Sequence, residues 1–457
     1  MAHIYSIRNI LEIKDENIQI ENKTTEEIHR DTKSIMFYGT LTYTPAGCRN
    51  CGIVNESHAD IVKNGTKASI IKLGQFNFKP VLLKLKKQRF LCKHCETTFS
   101  AQTSLVDRHC FISNPLKSLI AMELVEEQSM TLIAKHLNVS VSTVLRQLVK
   151  AGEALSPIKD DLPVHLGFDE FKSVKQVSGA MSFIFIDNIT HEVIDILENR
   201  QQRYLMEYFM RFSYEARRKV QTVTIDMYSP YIGVIEDCFP NAKIIIDRFH
   251  IVQHLNRCLN QIRIKTMNEL RNVQPRDYRK LKKQWKLVLK NSSDLNFNDF
   301  YTHRLYDGMV SEYVMTNYLI GLSPELRDTY ELINNLKSAI RHHHFDRFKQ
   351  ILQDTKKRTY PRKVRTVLQT LEKYLEPIEE SLKYTLSNGP IEGINNKIKN
   401  IKRSGYGYRS FRNLRNRALL VFSLVKKKSE PKELFYESSK ESKLNYHYNH
   451  HYVMTNL

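Results

Sequence analysis

The 457-residue sequence lacks any run of about 20 apolar residues, which is the length that a membrane-spanning helix needs. Its first residues also lack the apolar stretch of a secretory signal peptide. We therefore expect a protein that has no membrane segment and stays in the cytoplasm, where thiols remain reduced. Seven cysteines, an odd number, do not all pair in disulfides, and four of them form two Cys-x-x-Cys pairs, which favours metal binding.

Acidic residues are too few to balance the basic ones, with 49 Asp and Glu against 70 Lys and Arg. The resulting net charge is +21 and the isoelectric point is near 9.5. Because the basic residues are spread over most of the chain, we expect a polyanionic partner, with DNA or RNA first. The length exceeds the roughly 100–200 residues of one domain, so two to four domains are expected.

The two Cys-x-x-Cys pairs lie about 40 residues apart and predict a structural zinc site. Each pair turns two thiolates towards one ion, and together they supply four tetrahedral ligands. The predicted ligands are Cys48, Cys51, Cys92 and Cys95. His94 lies inside the second pair and is an alternative ligand. A basic strand at residues 81–91 leads into that pair, so the module is expected to resemble a zinc ribbon.

Residues 113–155 are predicted to form three short helices, with the spacing of a helix-turn-helix. The positions expected in its core are Leu132, Ile133, Leu137, Val139, Val144 and Leu148. The outward polar positions of the third helix are of the kind that reads a DNA major groove, and they are Ser142, Thr143, Arg146, Gln147 and Lys150. Short helices of this kind also occur as plain packing units, so the pattern alone leaves both interpretations open.

After residue 163 the pattern changes to three short strands and then to alternating helices and strands. Acidic residues stand at strand ends: Asp169, Asp226 and Asp247. A long basic block at about 255–385 has a nearly continuous helical pattern and is expected to be an all-α insertion, whose charges either face solvent or follow phosphates. Glu392 lies near the start of a later helix, where capping is the alternative to chemistry. Lys399, Lys402 and Arg403 on that helix are expected to contact phosphates.

Several stretches around these acids resemble the bacterial insertion-sequence transposases of the ISL-three family over about residues 45–425. They are GFDEF at 167–171, IDMYSPY at 225–231, DRFH at 247–250, SNGPIEGINNKIK at 387–399 and GYG at 405–407. The resemblance implies an α/β catalytic core of the ribonuclease-H-like type, with a mixed sheet and an all-α insertion. It also implies that Asp169, Asp226 and Glu392 form a DDE triad, with Asp247 and His250 as an accessory pair.

The chemistry implied by this triad is phosphodiester cleavage and strand transfer assisted by two divalent ions. Three carboxylates without a thiolate suit Mg²⁺ or Mn²⁺, because these ions prefer oxygen ligands. Water attacks first, and the released 3′-hydroxyl then attacks target DNA. Double-stranded DNA, as terminal inverted repeats and target, is the expected partner, and we expect a homodimer or a higher assembly on DNA, associated with the nucleoid.

The expected organisation has five parts. Residues 1–40 are a lead-in, 41–105 the zinc module, 113–155 the helix-turn-helix, 160–425 the catalytic domain with its insertion at about 255–385, and 426–457 a histidine-rich tail. A DNA-binding transcriptional regulator with a zinc ribbon and a helix-turn-helix, without catalysis, is the alternative function. A nuclease with the same fold is a further alternative, which strand joining alone separates from a transposase.

Overall fold

The computed structural model describes residues 7–57, 59–155, 157 and 160–424. The tail expected at 426–457 lies outside the described residues, as do the first six residues of the lead-in. The described chain consists of mixed α/β sheets with many helices. None of its helices combines the length and the apolar character that crossing a membrane would require.

The N-terminal sheet has five strands: β1 (Ile18–His29), β2 (Thr32–Leu41), β3 (Ile61–Phe76), β4 (Lys79–Cys92) and β5 (Thr98–Ser100). Their order is β1-β2-β4-β3, with β5 beside β4, and only the β2–β4 pair is parallel. The expected boundary between a lead-in at 1–40 and a zinc module at 41–105 falls inside this sheet and is therefore wrong. β2 pairs with β4 from Ile35 opposite Val81 onward, so β1 and β2 belong to the module.

Three helices follow: α1 (Asn114–Glu123), α2 (Met130–His136) and α3 (Val141–Ala154). Each begins after a serine whose side chain accepts a hydrogen bond from a backbone amide of the first turn, namely Ser113, Ser129 and Ser140. Most apolar positions expected in the core are buried there or packed against it. Leu132 differs, because it lies on the outer side of α2 with 39% of its surface exposed.

The second sheet carries the strands β6 (His165–Lys172), β7 (Met181–Asp187), β8 (Val193–Leu197), β9 (Thr222–Ile225) and β10 (Lys243–Ile246). Between β8 and β10 lie α4 (Gln202–Phe209), α5 (Tyr214–Lys219) and α6 (Ser229–Cys238). The strand order is β10-β9-β6-β7-β8. β10, β9 and β6 run parallel, whereas β7 and β8 are antiparallel to their neighbours, so the sheet is mixed as expected.

The helical insertion begins within α7 (Arg248–Glu269), after β10. It continues through α8 (Pro275–Lys283), α9 (Trp285–Leu289), α10 (Glu312–Gly321), α11 (Pro324–Arg341), α12 (Phe345–Thr355), α13 (Arg362–Lys373) and α14 (Leu375–Lys383). The expectation that it is entirely helical is wrong in one place, because β11 (Tyr301–Thr302) and β12 (Met309–Val310) form a small antiparallel hairpin. Gly308 precedes β12 with φ +81°, a backbone conformation that favours glycine.

Two final helices, α15 (Gly389–Ser404) and α16 (Phe411–Leu424), return to the second sheet. Period-two alternation along β7 explains how the sheet is covered on both faces. Phe183 and Phe185 join the aromatic core under α4 and α6. Ile184 and Ile186 point the other way, into a core shared with α15 and α16. The sheet is thus a central layer with helices on each side.

Candidate active site and zinc centre

The parallel register of the second sheet aligns three carboxylates along one edge. Gly167 of β6 pairs with Thr224 of β9, so Asp169 and Asp226, each two residues further on, are level with each other. Ile246 of β10 pairs with Ile225 of β9, which places Asp247 level with Asp226. The carboxyl ends of parallel strands are where α/β folds bind ligands, so this edge is a candidate active site.

Asp169 faces the layer that contains α15. Its Oδ2 accepts a hydrogen bond of 2.7 Å from Nδ2 of Asn395, and its Oδ1 accepts one of 2.7 Å from the backbone amide of Glu170. Burial and, next, the Asp226 carboxylate raise the pKa of Asp169 to about 7. Burial and a neighbouring carboxylate are common causes of a raised pKa at functional sites.

Asp226 follows β9 directly and is held from two sides. Nε2 of His250, on α7, lies 2.9 Å from its Oδ1, and Nδ2 of Asn388 donates to the same oxygen over 3.3 Å. The hydrogen bond to Asp226 raises the pKa of His250 above its usual value, although burial opposes this. The accessory histidine therefore acts on the central carboxylate as a charge-assisted donor.

Asp247 has a structural role in this arrangement. It is buried with 5% of its surface exposed, and its Oδ1 accepts the Phe249 amide at 3.2 Å as the N-cap of α7. Burial raises the pKa of Asp247. Because the cap fixes the start of α7, Asp247 sets the position of His250 one turn later. The two residues expected as an accessory pair are thus linked through the helix start.

Helix α15 brings Asn388, Glu392 and Asn395 onto one face, because positions i, i+4 and i+7 share a helical face. Asn388 donates to Phe168 O at 2.9 Å as well as to Asp226, and Asn395 donates to Asp169. Glu392 therefore lies on the same face, between two residues that each hold one of the aspartates.

Close contact between α15 and β6 depends on Gly167. A Cβ atom there would lie 2.9 Å from Cδ1 of Ile391 and 3.2 Å from Cγ1 of Ile186. Ile391 is completely buried, so little space exists to absorb a side chain. The glycine allows the helix to come near enough for Asn395 to reach Asp169.

Glu392 itself is exposed and occupies the fourth helical position after the N-cap Asn388. A capping box has its glutamate at the third helical position, so the fourth position argues against the capping alternative. The carboxylates of Asp169, Asp226 and Glu392 do not converge as tightly as a preformed ligand cluster. Within the described parts of the chain, only the four cysteines bring three or more such ligand atoms within 4.8 Å of one another.

Asn388 and Asn395 were not identified from the sequence. Asn388 is 4% exposed and Asn395 is 6% exposed, and the Oδ1 atom of each is buried without a hydrogen-bond partner. Partnerless amide oxygens beside two carboxylates form a set of hard oxygen donors, which fits a divalent cation such as Mg²⁺ or Mn²⁺. Their spacing of seven residues, on a helix whose first turn carries Glu392, was the available signal.

A second network of polar contacts, next to the aspartates, was also not predicted from the sequence. Glu170 pairs with Arg200 and accepts a hydrogen bond of 2.6 Å from the hydroxyl of Tyr231. The Arg200 guanidinium lies 4.9 Å from the ring centre of Tyr228. Glu170 follows Asp169, and both tyrosines follow Asp226, so this network braces the two segments that carry the aspartates.

The four predicted zinc ligands come together at one end of the N-terminal sheet. Sγ of Cys48 lies 3.6 Å from Sγ of Cys95, and the corresponding Cys51–Cys92 distance is 3.8 Å. With Zn–S bonds of about 2.3 Å, the sulfur atoms of a tetrahedral site are about 3.8 Å apart. The cluster therefore has the geometry to hold zinc, with no open position for catalysis. His94 is exposed and lies outside the group.

Local structure at the first knuckle and around Cys95 favours metal binding. Gly52 adopts φ +74° in the first knuckle, where its amide donates to Cys48 O at 3.0 Å. The Thr97 hydroxyl and amide lower the pKa of Cys95 to about 5. This favours the thiolate, which is the form that binds metal.

The DNA-binding positions predicted on α3 have different environments. Ser142, Arg146 and Lys150 are exposed, and Gln147 is half-buried. Thr143 does not face outward as expected: it is 4% exposed, and its hydroxyl lies 2.9 Å from that of Ser140. The third residue of a helix lies over the capping side chain, which explains why Thr143 folds inward.

The three basic residues of α15 that are predicted to contact phosphates also have different environments. Lys399 and Arg403 are exposed. Lys402 is committed to the protein, because its Nζ donates to the carbonyl groups of Lys172 at 2.7 Å and Ser173 at 2.9 Å. Burial lowers the pKa of Lys402. The phosphate role expected of Lys402 is corrected to an anchor of α15 on the end of β6.

The sequence matches a family of known proteins. The family model of ISL-three DDE transposases, described as "Transposase", matches residues 166–418, which include both aspartates and Glu392. A match of this kind identifies a nucleic-acid-processing enzyme. The chain belongs to the ISL-three family of transposases.

Two individual proteins are similar in sequence. The transposase for insertion sequence element IS1001 of Bordetella parapertussis is 24% identical over 368 residues, which is 79% of this chain and 85% of that protein. An ATP-dependent protease of Lactococcus lactis subsp. lactis is 34% identical over 111 residues, which is 24% of this chain and 35% of that protein. The second similarity covers only a short segment of each protein, so it does not indicate a protease activity for this chain.

Proposed function

We propose that this transposase binds the terminal inverted repeats of an insertion sequence and catalyses metal-dependent DNA cleavage and strand transfer. The observation that carries the proposal is the pair of hydrogen bonds from α15. Asn388 donates to Asp226 and Asn395 donates to Asp169, and Glu392 lies between them on the same helix. In this proposal the second sheet is a ribonuclease-H-like core.

The metal-binding residues in this proposal are Asp169, Asp226 and Glu392, with Mg²⁺ or Mn²⁺ as the ions. Two bound ions would activate an oxygen nucleophile and offset negative charge on the phosphate. The central position of Asp226 suits a shared ligand, with Asp169 on one side and Glu392 on the other. The Glu392 side chain is exposed, and in this proposal it turns towards the two aspartates when the ions bind.

The other polar residues position these carboxylates. His250 and Asn388 both donate to Oδ1 of Asp226, and in this proposal its Oδ2 binds the cation. Asn395 orients Asp169 in the same way. Asp169, whose pKa is near 7, releases its proton when a cation binds. No protein nucleophile is required, because water and then the 3′-hydroxyl of DNA supply the attacking oxygen.

For DNA recognition we propose that α1 to α3 act as a helix-turn-helix. Arg146 and Gln147 lie at the middle of α3, where side chains reach base edges, and Ser142 and Lys150 flank them. Arg146→Ala is then expected to reduce binding to the terminal repeat while leaving binding to random duplex nearly unchanged. Equal loss on both duplexes would exclude α3 as the reader.

The two alternatives differ in testable ways. A transcriptional regulator needs no acids at an aligned strand edge, and the family match extends across the catalytic region. The transcriptional regulator is therefore not favoured as the function. A nuclease shares the proposed cleavage chemistry, so strand joining is the property that separates it from a transposase.

The test uses the purified full chain, a duplex ending in the terminal repeat of the element, and a supercoiled target plasmid with Mg²⁺ or Mn²⁺. The wild type is expected to nick the duplex and join its 3′ end to the plasmid. Asp226→Asn and Glu392→Gln should bind the duplex but not cleave it. Asp161→Asn is the matched control, because Asp161 is a surface acid paired with Lys219. Normal cleavage by Asp226→Asn would refute the assignment.

A further inference from the structure

A groove of about 720 Å³ separates the N-terminal sheet from α3. Arg30, at the turn between β1 and β2, and Lys72 of β3 line the wall formed by the sheet. Arg146, Gln147 and Lys150 line the opposite wall, formed by α3. The residues of α3 that are expected to read DNA therefore line a groove whose other wall belongs to the zinc module.

The groove is strongly basic. Five of its lining side chains are cationic, namely Arg30, Lys72, Lys117, Arg146 and Lys150, and the one acidic residue that lines it is Asp107. Asp107 is paired with Lys117 at 2.7 Å. Arg30 and Lys150 are exposed, and neither side chain makes a hydrogen bond or an ion pair with any part of the chain that the structure describes. Positive charge therefore faces the groove from both walls.

Hydrogen bonds join the two walls. Nζ of Lys72 donates to Asn138 O at 2.7 Å, in the turn directly before α3. The backbone of Lys72 also pairs with the segment that leads into α1, through Phe111 O at 2.8 Å and the Ser113 amide at 2.9 Å. A site whose walls are fixed in advance loses little entropy when it binds a ligand.

We propose that this groove seats the sugar-phosphate backbone of one DNA strand, with Arg30 and Lys150 binding phosphates from opposite walls. The proposal rests on the proposed DNA-binding function and extends it to the zinc module, whose β1–β2 turn becomes part of the DNA-binding surface. Arg146 and Gln147 lie in the same groove, so the strand that they read is held by both units. Contacts to phosphate position the protein and are blind to sequence.

The test measures binding of the full chain to a repeat duplex and to a random-sequence duplex at several salt concentrations. Arg30→Ala is expected to lower affinity for both duplexes roughly three- to tenfold, and to flatten the salt dependence by about one unit of slope. Lys150→Ala should do the same, and the double variant should lose about two units. Lys33→Ala is the matched control, because Lys33 lies on the same hairpin, paired with Glu26 at 2.7 Å and outside the groove.

The outcomes separate this proposal from the one on which it rests. If the wild type binds neither duplex, the proposed DNA-binding function fails, and the groove fails with it. If the wild type binds and Arg30→Ala behaves like Lys33→Ala, the groove alone is refuted. If Arg30→Ala weakens only the repeat duplex, Arg30 reads bases and the backbone assignment is overturned.

Discussion

Replacing Asp169 with asparagine is expected to stabilise the protein at alkaline pH while abolishing cleavage. The pKa of Asp169 rises from 3.8 to about 7 because the carboxyl group is buried beside Asp226. A rise of about 3 units corresponds to about 4 kcal/mol of unfavourable free energy once the native carboxyl group is ionised. Asparagine removes that charge. It also replaces one of two hydrogen-bond acceptors, which costs about 1–2 kcal/mol.

The direction in which stability changes with pH follows from proton binding by Asp169. Between pH 4 and pH 7 the folded state holds a proton on Asp169 that the unfolded state has released, so stability falls as pH rises through this window. Above pH 7 the full penalty is present. Asp169→Asn should therefore be close to neutral at pH 5 and gain about 2–3 kcal/mol in free energy of unfolding at pH 8.

Urea titration followed by circular dichroism at pH 5 and pH 8 measures this difference. Asp161→Asn, a surface substitution, should leave the free energy of unfolding unchanged at both values. Added Mg²⁺ should stabilise the wild type, because a cation offsets the repulsion between Asp169 and Asp226, and it should stabilise Asp169→Asn less. A variant that is equally or more destabilised at pH 8 than at pH 5 would refute the reasoning.

Three further substitutions, two of them paired with a comparison variant, test other parts of the structure. Cys92→Ser should remove the zinc and unfold the whole N-terminal sheet, from β1 to β5, because β4 pairs with β2 and structural zinc contributes apparent folding free energy of roughly 10–16 kcal/mol; zinc content and limited proteolysis measure this. Gly152→Ala should lower the free energy of unfolding by about 1–3 kcal/mol, because the new Cβ atom would lie 2.1 Å from Cγ of Asn416. A Cβ atom at Gly393 would have no atom within 4 Å, so Gly393→Ala should not lower the melting temperature. Lys402→Met should lower stability by about 1–2 kcal/mol and leave the salt dependence of DNA binding unchanged, whereas Lys399→Ala should flatten it by about one unit.

Much of the site was predictable because Asp226 and Asp247 directly follow strands with strong local patterns. Asp169 was also expected at a strand end, but β6 continues to Lys172 because it pairs with β7 beyond the last residue that pairs with β9. β-branched residues before Asp226 predict a buried strand, and parallel strands place their carboxyl ends together. The cysteine pairs were equally clear, because their spacing matches the geometry of one ion. These features depend on neighbours in sequence.

The parts that were missed depend on contacts between distant segments. Asn388 and Asn395 reach residues more than 160 positions away, and an asparagine near a helix start is otherwise typical of a cap. The sequence shows that Lys402 lies on a basic helix, which predicts a phosphate contact. It does not show that the carbonyl groups at the end of β6 lie within reach of Lys402. The pairing of β2 with β4, which moved the module boundary, is likewise long-range.

The most direct test of the metal-binding assignment is a crystal structure of the wild-type chain with Mn²⁺, whose anomalous scattering locates the ion. We expect Mn²⁺ at the edge of the second sheet, bound by Asp169 and Asp226, with Glu392 turned inward as a further ligand. The same experiment on Asp226→Asn should show no ion there. Mn²⁺ bound only elsewhere, or bound with Glu392 still directed to solvent, would contradict the account.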